Sequence, residues 1–432
     1  MRVLWICNIM LPVIAKKLQM NGTVKEGWIT GLFSRVIQQG KNSKMSLAVA
    51  FPMDETMENF HETYVLNGMA VECFGFYEDA EHPEIYNPAL RDRFEDIYRM
   101  FQPDVVHIFG TEYGHALAAV RALRKPEKAL LEFQGIISEC AREYMGGLPE
   151  EICRKKSLRD FLKNDGLTEQ KRKFEQRGRR EIEAVQHVRN VTGRTEFDRA
   201  FCQDIDDSIR YYKMNETMRP CFYDGQWELS LCKKHQIFFS QADYPLKGFH
   251  ILLQAMPKIL KSYPDATVAV AGQDIVHKKG LLGPLKVSAY GKYLNQLIVN
   301  NGLQGKVEFL GVLSAEEMKE AYLGCHTFVC ASSLENSPNS VAEAMLLGVP
   351  VVASRTGGIP SMITDRKEGL LFEKGNAAEL ADRVMELWEN SANPIISRLS
   401  GAEKERAQET HNPAANYERL MEIYQAVSEQ KA

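Results

Sequence analysis

HTFVCASSLENSPNSVAEAM, from His326 to Met345, is the stretch of sequence that decides the fold. Its first six residues have the apolar, β-rich composition of a buried strand. Ser340 followed three residues later by Glu343 is typical of a capping box, which predicts that a helix begins there. Glu335 lies in the intervening loop, so both carboxylates are expected near one helix N-terminus. Helix N-termini favour phosphate and carboxylates accept hydrogen bonds from hydroxyl groups, so this arrangement suits a sugar bound beside a diphosphate.

Strand-like and helix-like segments alternate along both halves of the chain. In the first half, the β-rich runs are 3–9, 46–51, 71–76, 104–109 and 129–133. After a predicted linker at 223–231, a second series comprises 236–240, 267–272, 306–310, 327–331 and 349–354. This alternation predicts an α/β protein with two Rossmann-like domains facing across a ligand-binding cleft.

The predicted boundaries give an N-terminal domain over 1–225, a C-terminal domain over 226–410 and a last helix over 411–432. Asn412-Pro413 is a good helix start, and an apolar stripe follows it at Tyr417, Leu420, Met421, Tyr424 and Val427. Because such a stripe must be covered, we expect this helix to pack back towards the first domain.

The composition is that of a soluble globular protein and limits its partners. Hydrophobic residues make up 44% of the 432 and charged residues 25%, and the formal net charge of −4 argues against a nucleic-acid partner. The nine cysteines are scattered and form no C-x-x-C pair. This pattern favours reduced thiols in a cytoplasmic protein and indicates neither zinc nor disulfides.

A charged helical region, 142–189, interrupts the alternation inside the predicted first domain. It indicates either a solvated helix pair or a basic surface directed towards anionic lipid or a phosphate-bearing acceptor. No apolar run approaches the roughly 18 residues needed to cross a bilayer, so membrane association is expected only as peripheral contact at the inner face. The first 14 residues are interpreted as a strand rather than a secretion signal, because Asn8 and Pro12 interrupt them.

Several motifs together resemble glycosyltransferase family 4. They are Lys247-Gly248, Phe309-Leu310-Gly311-Val312, the segment from Glu335 to Ser354, and Thr356-Gly357-Gly358-Ile359-Pro360. The resemblance is strong over 236–388 and thin over the first 220 residues. It implies the GT-B fold, a nucleotide-sugar donor that is usually UDP-linked, transfer with retention of anomeric configuration, and no metal or other cofactor. The acceptor would be a carbohydrate or a lipid-linked hydroxyl.

The resemblance also implies roles for individual residues of the C-terminal domain. Glu335 would contact hydroxyls of the donor sugar, and Glu343 the ribose hydroxyls. Asn339 and Ser340 would present backbone amides to the diphosphate. Lys247 would neutralise the charge that builds on the departing nucleotide, so Lys247 and Glu335 are the predicted catalytic residues.

Three further residues are predicted to bind the donor. Val312 belongs to the second motif, and Gly27 resembles a glycine-containing loop that approaches the phosphates, although a plain turn explains it equally. Gln134 stands where the family commonly has histidine, and it can donate a hydrogen bond but cannot titrate. This substitution fits a mechanism in which the leaving phosphate oxygen takes the acceptor's proton.

Two positions in the sequence leave alternatives open. The family's arginine five residues before Lys247 is replaced by Ala242, and Arg194 is either its substitute or a residue paired with Glu196 or Asp198. His107 either lines the cleft or is a structural histidine.

Two rival functions follow from the same motifs. The first is a nucleotide-sugar epimerase on this architecture, for which the first domain offers few titratable groups. The second is a catalytically impaired sugar-nucleotide-binding protein, suggested by Ala242 and Gln134.

Overall fold

The computed structural model describes residues 1–20, 27–40, 45–278, 280, 282–389 and 394–430. In these residues the strands are β1 (Arg2–Ile6), β2 (Ser46–Met53), β3 (His61–Leu66), β4 (Met69–Tyr77), β5 (Val105–Phe109), β6 (Ala129–Glu132), β7 (Asn190–Gly193), β8 (Arg210–Lys213), β9 (Lys233–Phe239), β10 (Thr267–Ala271), β11 (Val307–Gly311), β12 (Cys325–Cys330), β13 (Val351–Arg355) and β14 (Leu370–Glu373).

The helices are α1 (Pro12–Leu18), α2 (Gly27–Gln39), α3 (Ala89–Phe101), α4 (Gly114–Ala122), α5 (Ile137–Glu143), α6 (Glu150–Arg154), α7 (Leu158–Lys163), α8 (Leu167–Gln186), α9 (Glu196–Ile205), α10 (Phe249–Ser262), α11 (Ala289–Asn300), α12 (Ala315–Gly324), α13 (Asn339–Leu347), α14 (Ile359–Met362), α15 (Ala377–Glu389), α16 (Pro394–Thr410) and α17 (Pro413–Ser428). Among the described residues, none of these helices has both the length and the apolar character required to span a bilayer.

The chain divides into two compact units, each built on one sheet. The first unit comprises Met1–Glu139, Phe174–Arg219 and His411–Ala432. Its strands lie in the order β3-β4-β2-β1-β5-β6-β7-β8, and all neighbours are parallel except β3 and β4. The near-continuous apolar runs of β1, β2 and β5 fit this sheet, since parallel strands are buried on both faces.

The last helix, α17, packs against the first unit's core. Leu420, Ile423, Tyr424 and Val427 are buried in the same apolar cluster as residues of β1, β2 and β5. At its start, the Asn412 side chain accepts hydrogen bonds from two backbone amides. The predicted packing of this helix on the first domain is thus confirmed.

The second unit comprises Cys140–Lys173 and Pro220–Thr410. Its strands lie in the order β11-β10-β9-β12-β13-β14 and are all parallel. From β9 the chain continues to β10 on one side, whereas from the adjacent β12 it continues to β13 on the other. In open α/β sheets ligands bind beyond the carboxyl ends of the strands at such a reversal. The strand order therefore predicts a ligand-binding site beyond the carboxyl ends of β9 and β12.

The compact units divide the chain differently from the predicted domains. Cys140–Lys173, which the sequence places in the first domain as part of 142–189, clusters with the second unit. Two buried polar contacts explain this. Asp160 accepts a hydrogen bond from the backbone amide of Ala289 at 2.7 Å, and Nε2 of His250 lies 2.8 Å from the carbonyl oxygen of Gly146.

Candidate active site

Two loops are joined at the carboxyl ends of β9 and β12. The backbone amide of Ser333 donates a hydrogen bond to the carbonyl of Leu246 at 2.8 Å. Gly248, which ends the short helical turn Pro245–Lys247, has a φ of +73° and lies so close to Ala331 that an added Cβ would be 1.9 Å from the Ala331 carbonyl oxygen. Only glycine permits this approach, so the Lys-Gly pair of the sequence is a packing requirement.

Lys247 and Glu335 meet across these loops. Nζ of Lys247 lies 2.7 Å from Oε1 of Glu335, and the Ser332 hydroxyl donates to the same oxygen at 2.7 Å. Both side chains are only partly exposed, at 21% and 13%. Burial alone would lower the pKa of Lys247, but the Glu335 carboxylate outweighs it and holds the pKa above its ordinary value. Lys247 is therefore a positive charge at neutral pH.

The Thr356-Gly357-Gly358 turn holds the Glu335 loop from the other side. The amide of Gly358 donates to the carbonyl of Glu335 at 2.9 Å, and the Thr356 hydroxyl donates to the carbonyl of Ser333 at 2.8 Å. Gly357 has a φ of +49°, and an added Cβ would be 2.1 Å from the Glu335 carbonyl oxygen. The backbone of Glu335 is thereby fixed independently of its side chain.

The helix that follows, α13, begins two residues earlier than the predicted capping box requires. Its N-cap is Pro338, which makes no side-chain cap, and the amides of Val341 and Ala342 donate to the Pro338 carbonyl. The capping box of Ser340 with Glu343 is therefore wrong, because Ser340 already lies inside the helix. Proline fixes an extended conformation that enters a helix without a side-chain cap.

Asn339 and Ser340 are the first two residues of α13, where backbone amides have no acceptor within the helix. Oδ1 of Asn339 is buried without a hydrogen-bond partner in the described chain. Glu343 lies one turn further on and is buried. The predicted diphosphate and ribose residues thus occupy one helix start, directly after the Glu335 loop.

Val312 lies just beyond β11, which is two strands from β9 in the sheet, and its side chain is exposed. The preceding Gly311 has a φ of +82° and accepts a backbone hydrogen bond from Gly272 at 2.8 Å. Nothing lies within 4 Å of the position that a Cβ of Gly311 would occupy. The glycine therefore leaves open space at the end of β11, whereas Lys247 and Glu335 lie beyond β9 and β12.

A segment that sequence reasoning missed supports the Lys247 loop. Gly146 has a φ of +59°, and an added Cβ would be 2.5 Å from the Pro245 carbonyl oxygen. The rings of Tyr144 and Tyr244 stack with centroids 6.4 Å apart, and Nζ of Lys247 lies 5.8 Å from the centre of the Tyr244 ring. The one available signal was the pair of adjacent glycines, Gly146 and Gly147, within the predicted helical region 142–189.

In the first unit, buried Glu132 holds three of the predicted residues together. Arg194 lies 2.6 Å from Glu132 and 2.8 Å from Glu216. Nε2 of His107 lies 2.9 Å from Glu132, and Gln134 donates to Glu132 at 3.0 Å. His107 is fully buried, which favours the structural alternative over the one in which it lines a cleft.

Arg194 is held by acidic side chains, one of which is the predicted partner Asp198. Its guanidinium pairs with the two glutamates named above, while its backbone amide donates to Asp198 at 2.9 Å. A buried guanidinium already held by two carboxylates is not the free cation that a substitute for the missing arginine requires. Ala242, at the position of that arginine, is buried. Gly27 begins α2, and the loop before it lies outside the described residues.

The second half of the chain is similar to a known protein family. Residues 228–406 match the family described as glycosyl transferases group 1. Spore coat protein SA of Bacillus subtilis is 28% identical over 202 residues, which are 46% of this chain and 50% of that protein. D-inositol 3-phosphate glycosyltransferase of Corynebacterium urealyticum is 28% identical over 182 residues, 42% of this chain and 41% of that protein. The chain thus spans about half the length of these relatives or less.

Two solved structures are similar over almost the whole chain. Sucrose-phosphate synthase from Thermosynechococcus elongatus has a TM-score of 0.69 at 14% identity, with 99% of this chain and 98% of that one covered. Anabaena HepE in complex with UDP-glucose has a TM-score of 0.65 at 15% identity, with 99% and 100% covered. Residues 228–406 are therefore similar to the glycosyl transferases group 1 family, and the chain has the two-domain GT-B fold of these solved structures.

Proposed function

We propose that this protein is a retaining, metal-independent glycosyltransferase that moves a sugar from a UDP-linked donor to a hydroxyl of a glycan or a lipid-linked acceptor. The observation that carries the proposal is the Lys247–Glu335 pair, placed beyond β9 and β12 and beside the start of α13. The match to a glycosyltransferase family supports the reaction class. The structures of HepE with UDP and with UDP-glucose support the choice of nucleotide.

In this proposal Lys247 stabilises the leaving diphosphate. An ammonium has three donors, and in the described structure only one of them is used, on Glu335. The other two can bind phosphate oxygens. The amides of Asn339 and Ser340 and the positive end of the α13 dipole add a second source of positive potential. Together these groups take the charge-neutralising role that a metal has in other transferases.

The two glutamates would hold the sugar and the nucleoside. Both hydrogen bonds to the Glu335 carboxylate are made to Oε1, which leaves Oε2 without a partner in the described chain and available to a donor-sugar hydroxyl. Glu343 would accept from the ribose hydroxyls. A carboxylate with two oxygens suits neighbouring hydroxyl groups, which can each donate one hydrogen bond.

The proposed step forms one bond and breaks one. The bond between the anomeric carbon and the leaving phosphate oxygen breaks, and its electron pair stays on the nucleotide beside Lys247. The acceptor oxygen bonds to the anomeric carbon on the same face, and its proton passes to the leaving phosphate oxygen. Lys247 cannot be the base, because it is already protonated.

The test measures nucleotide release from a panel of UDP-, GDP- and ADP-sugars, first with water and then with a panel of acceptors. We expect Lys247→Met to lower the rate with the preferred donor by about 100- to 1,000-fold, as for removal of an electrostatic donor in other enzymes. Lys258→Met is the matched control, because Lys258 also pairs with a carboxylate, Asp382 at 2.5 Å, but on the surface of α10. Equal effects of the two changes would refute the role of Lys247.

The rival functions give different products. An epimerase would change the sugar without releasing the nucleotide. An impaired binding protein, which buried Ala242 and the fully engaged Arg194 favour, would raise its melting temperature with the donor but release nothing. The anomeric coupling constant of the product, measured by NMR, tests retention, and activity after chelation tests metal independence. We further propose a cytoplasmic setting, since all nine cysteines are free thiols.

A further inference from the structure

One surface of the second unit holds large apolar side chains in solvent. They lie on α7 and on the turn Leu282–Lys286, which pack against each other. Eleven large hydrophobic side chains are exposed in the described chain, and five belong to this surface, which we call the apolar patch: Leu158 (50%), Phe161 (74%), Leu162 (73%), Leu282 (63%) and Leu285 (47%). Concentrated apolar exposure of this kind marks an interaction site, whereas scattered single residues do not.

The exposure on α7 results from how this helix is anchored. Ser157 and Asp160 form a capping box at its start, with hydrogen bonds of 3.1 and 3.0 Å. The same buried Asp160 carboxylate accepts from the first amide of α11, at Ala289. These bonds fix the polar face of α7 on the unit, so Phe161 and Leu162, the next two residues, remain in solvent. A helix without these hydrogen bonds could rotate and bury its apolar side chains against the unit.

Basic side chains surround the apolar patch. Lys155, Lys163 and Lys286 are exposed, and none of them forms an ion pair with a carboxylate of the described residues. Arg154, Lys156 and Arg159 lie nearby in the chain, but each is paired with a carboxylate, on Glu150, Glu169 and Asp160 respectively, so the surplus positive charge comes from the three unpaired lysines. These exposed lysines make the edge of the apolar patch basic, although the whole chain has a formal net charge of −4.

We propose that the apolar patch docks the second unit on an anionic lipid surface, with Phe161 and Leu162 inserted at the headgroup boundary and the lysines against the phosphates. Apolar insertion and attraction between lysine and anionic lipid are the two contributions that hold a peripheral protein on a membrane. Protein–protein interfaces, by contrast, are depleted in lysine, which makes a protein partner the weaker explanation. The proposal goes beyond the sugar-transfer function and does not depend on it, because docking needs no donor.

The experiment is co-sedimentation of the full chain with vesicles, in the absence of nucleotide. We expect binding to phosphatidylcholine vesicles that contain phosphatidylglycerol, little binding to phosphatidylcholine alone, and weaker binding as salt rises. The double change F161S/L162S should lower the partition coefficient about tenfold or more, because it removes the inserting side chains. Lys155→Glu with Lys163→Glu should abolish the preference for anionic lipid.

The matched control is L231S/V65S, which removes two apolar side chains of similar exposure, 75% and 65%, from other elements. Phe161→Trp adds a direct readout, since its fluorescence should shift to the blue with anionic vesicles. The proposal is overturned if the wild-type chain does not bind, or if F161S/L162S binds as well as the control. It is also overturned if F161S/L162S converts a dimer into a monomer, which would mean that a second copy covers the patch. Nucleotide release in solution should be the same in F161S/L162S and wild type, so this test and that of the transferase fail independently.

Discussion

Gly248→Ala is the substitution that most directly tests how the two loops are joined. A Cβ at residue 248 would lie 1.9 Å from the Ala331 carbonyl oxygen, whereas real Cβ contacts essentially never fall below 3.0 Å. The Ala331 and Gly248 backbones must therefore separate by about 1 Å. The hydrogen bond from Ser333 to Leu246, at 2.8 Å, and the Lys247–Glu335 contact connect the same loops and would lengthen with them.

The expected loss of stability has two parts. A non-glycine residue in the left-handed conformation costs about 1–2 kcal/mol. Separation of the loops, through loss of the backbone hydrogen bond between them and residual strain, adds about 1–2 kcal/mol, so we expect a total of about 2–4 kcal/mol. Misplacing Lys247 by about 1 Å should also lower the rate of nucleotide release about 100-fold, because catalytic geometry is that sensitive to position.

Gly305→Ala separates the two contributions. Gly305 has nearly the same φ, +72° against +73°, but nothing lies within 4 Å of its Cβ position. Gly305→Ala therefore loses only the free energy that a non-glycine residue costs in the left-handed conformation. Urea unfolding gives the free energy of unfolding of both variants, and nucleotide release gives the activity. If Gly248→Ala is no less stable than Gly305→Ala and keeps wild-type activity, the close approach of the loops is not what positions Lys247.

Three other changes test separate parts of the structure. Gly146→Ala should reduce donor affinity about tenfold or more, because its Cβ would lie 2.5 Å from a backbone carbonyl oxygen of the Lys247 loop. Gly147→Ala is the control, since Gly147 has a φ of +74° but open space at its Cβ position, and it should leave the affinity unchanged. Isothermal titration with UDP compares the two variants. Glu132→Gln should lower the free energy of unfolding by about 3 kcal/mol, because it removes a carboxylate from buried Arg194, and a loss below about 1 kcal/mol in urea unfolding would contradict this. Burial lowers the pKa of His250 to about 4. As the pH falls below about 6.5, this histidine is therefore protonated in the unfolded chain before it is protonated in the folded one, and the folded state loses stability. The loss should reach about 2 kcal/mol by about pH 5. The stability difference between wild type and His250→Gln should therefore shrink by that amount from about pH 7 to about pH 5, and an unchanged difference would show that His250 is not buried as a neutral ring.

The periodicity of the sequence was sufficient to predict most strands of the two sheets, but not all of them. All ten predicted strands are present, and most of them are apolar runs with buried side chains, although β11, at the edge of the second sheet, is only partly buried. Four others, β3, β7, β8 and β14, were missed. β7 and β14 have only four residues each, and β3 and β8 carry polar side chains at the ends of the first sheet, so none has the pattern of a buried strand.

The candidate site was predictable where local sequence fixes geometry. Lys247 and Glu335 were found because a glycine turn and a strand–loop–helix segment leave recognisable patterns. The start of α13 was misplaced by two residues, because serine and glutamate at capping-box spacing were weighed above Pro338. The contacts of Arg194 and His107 could not be predicted, because their common partner Glu132 is over 20 residues away from each in the chain.

The inserted segment Cys140–Lys173 also limits how this protein can be recombined with its relatives. The chain passes between the two units four times, although the family match covers only 228–406. A chimera spliced once near residue 225 would take the donor half from one parent while inheriting Gly146 and Asp160 from the other. His250 and α11 would then face foreign partners. A chimera should exchange specificity successfully only when residues 140–173 and 220–410 are taken together from the same parent.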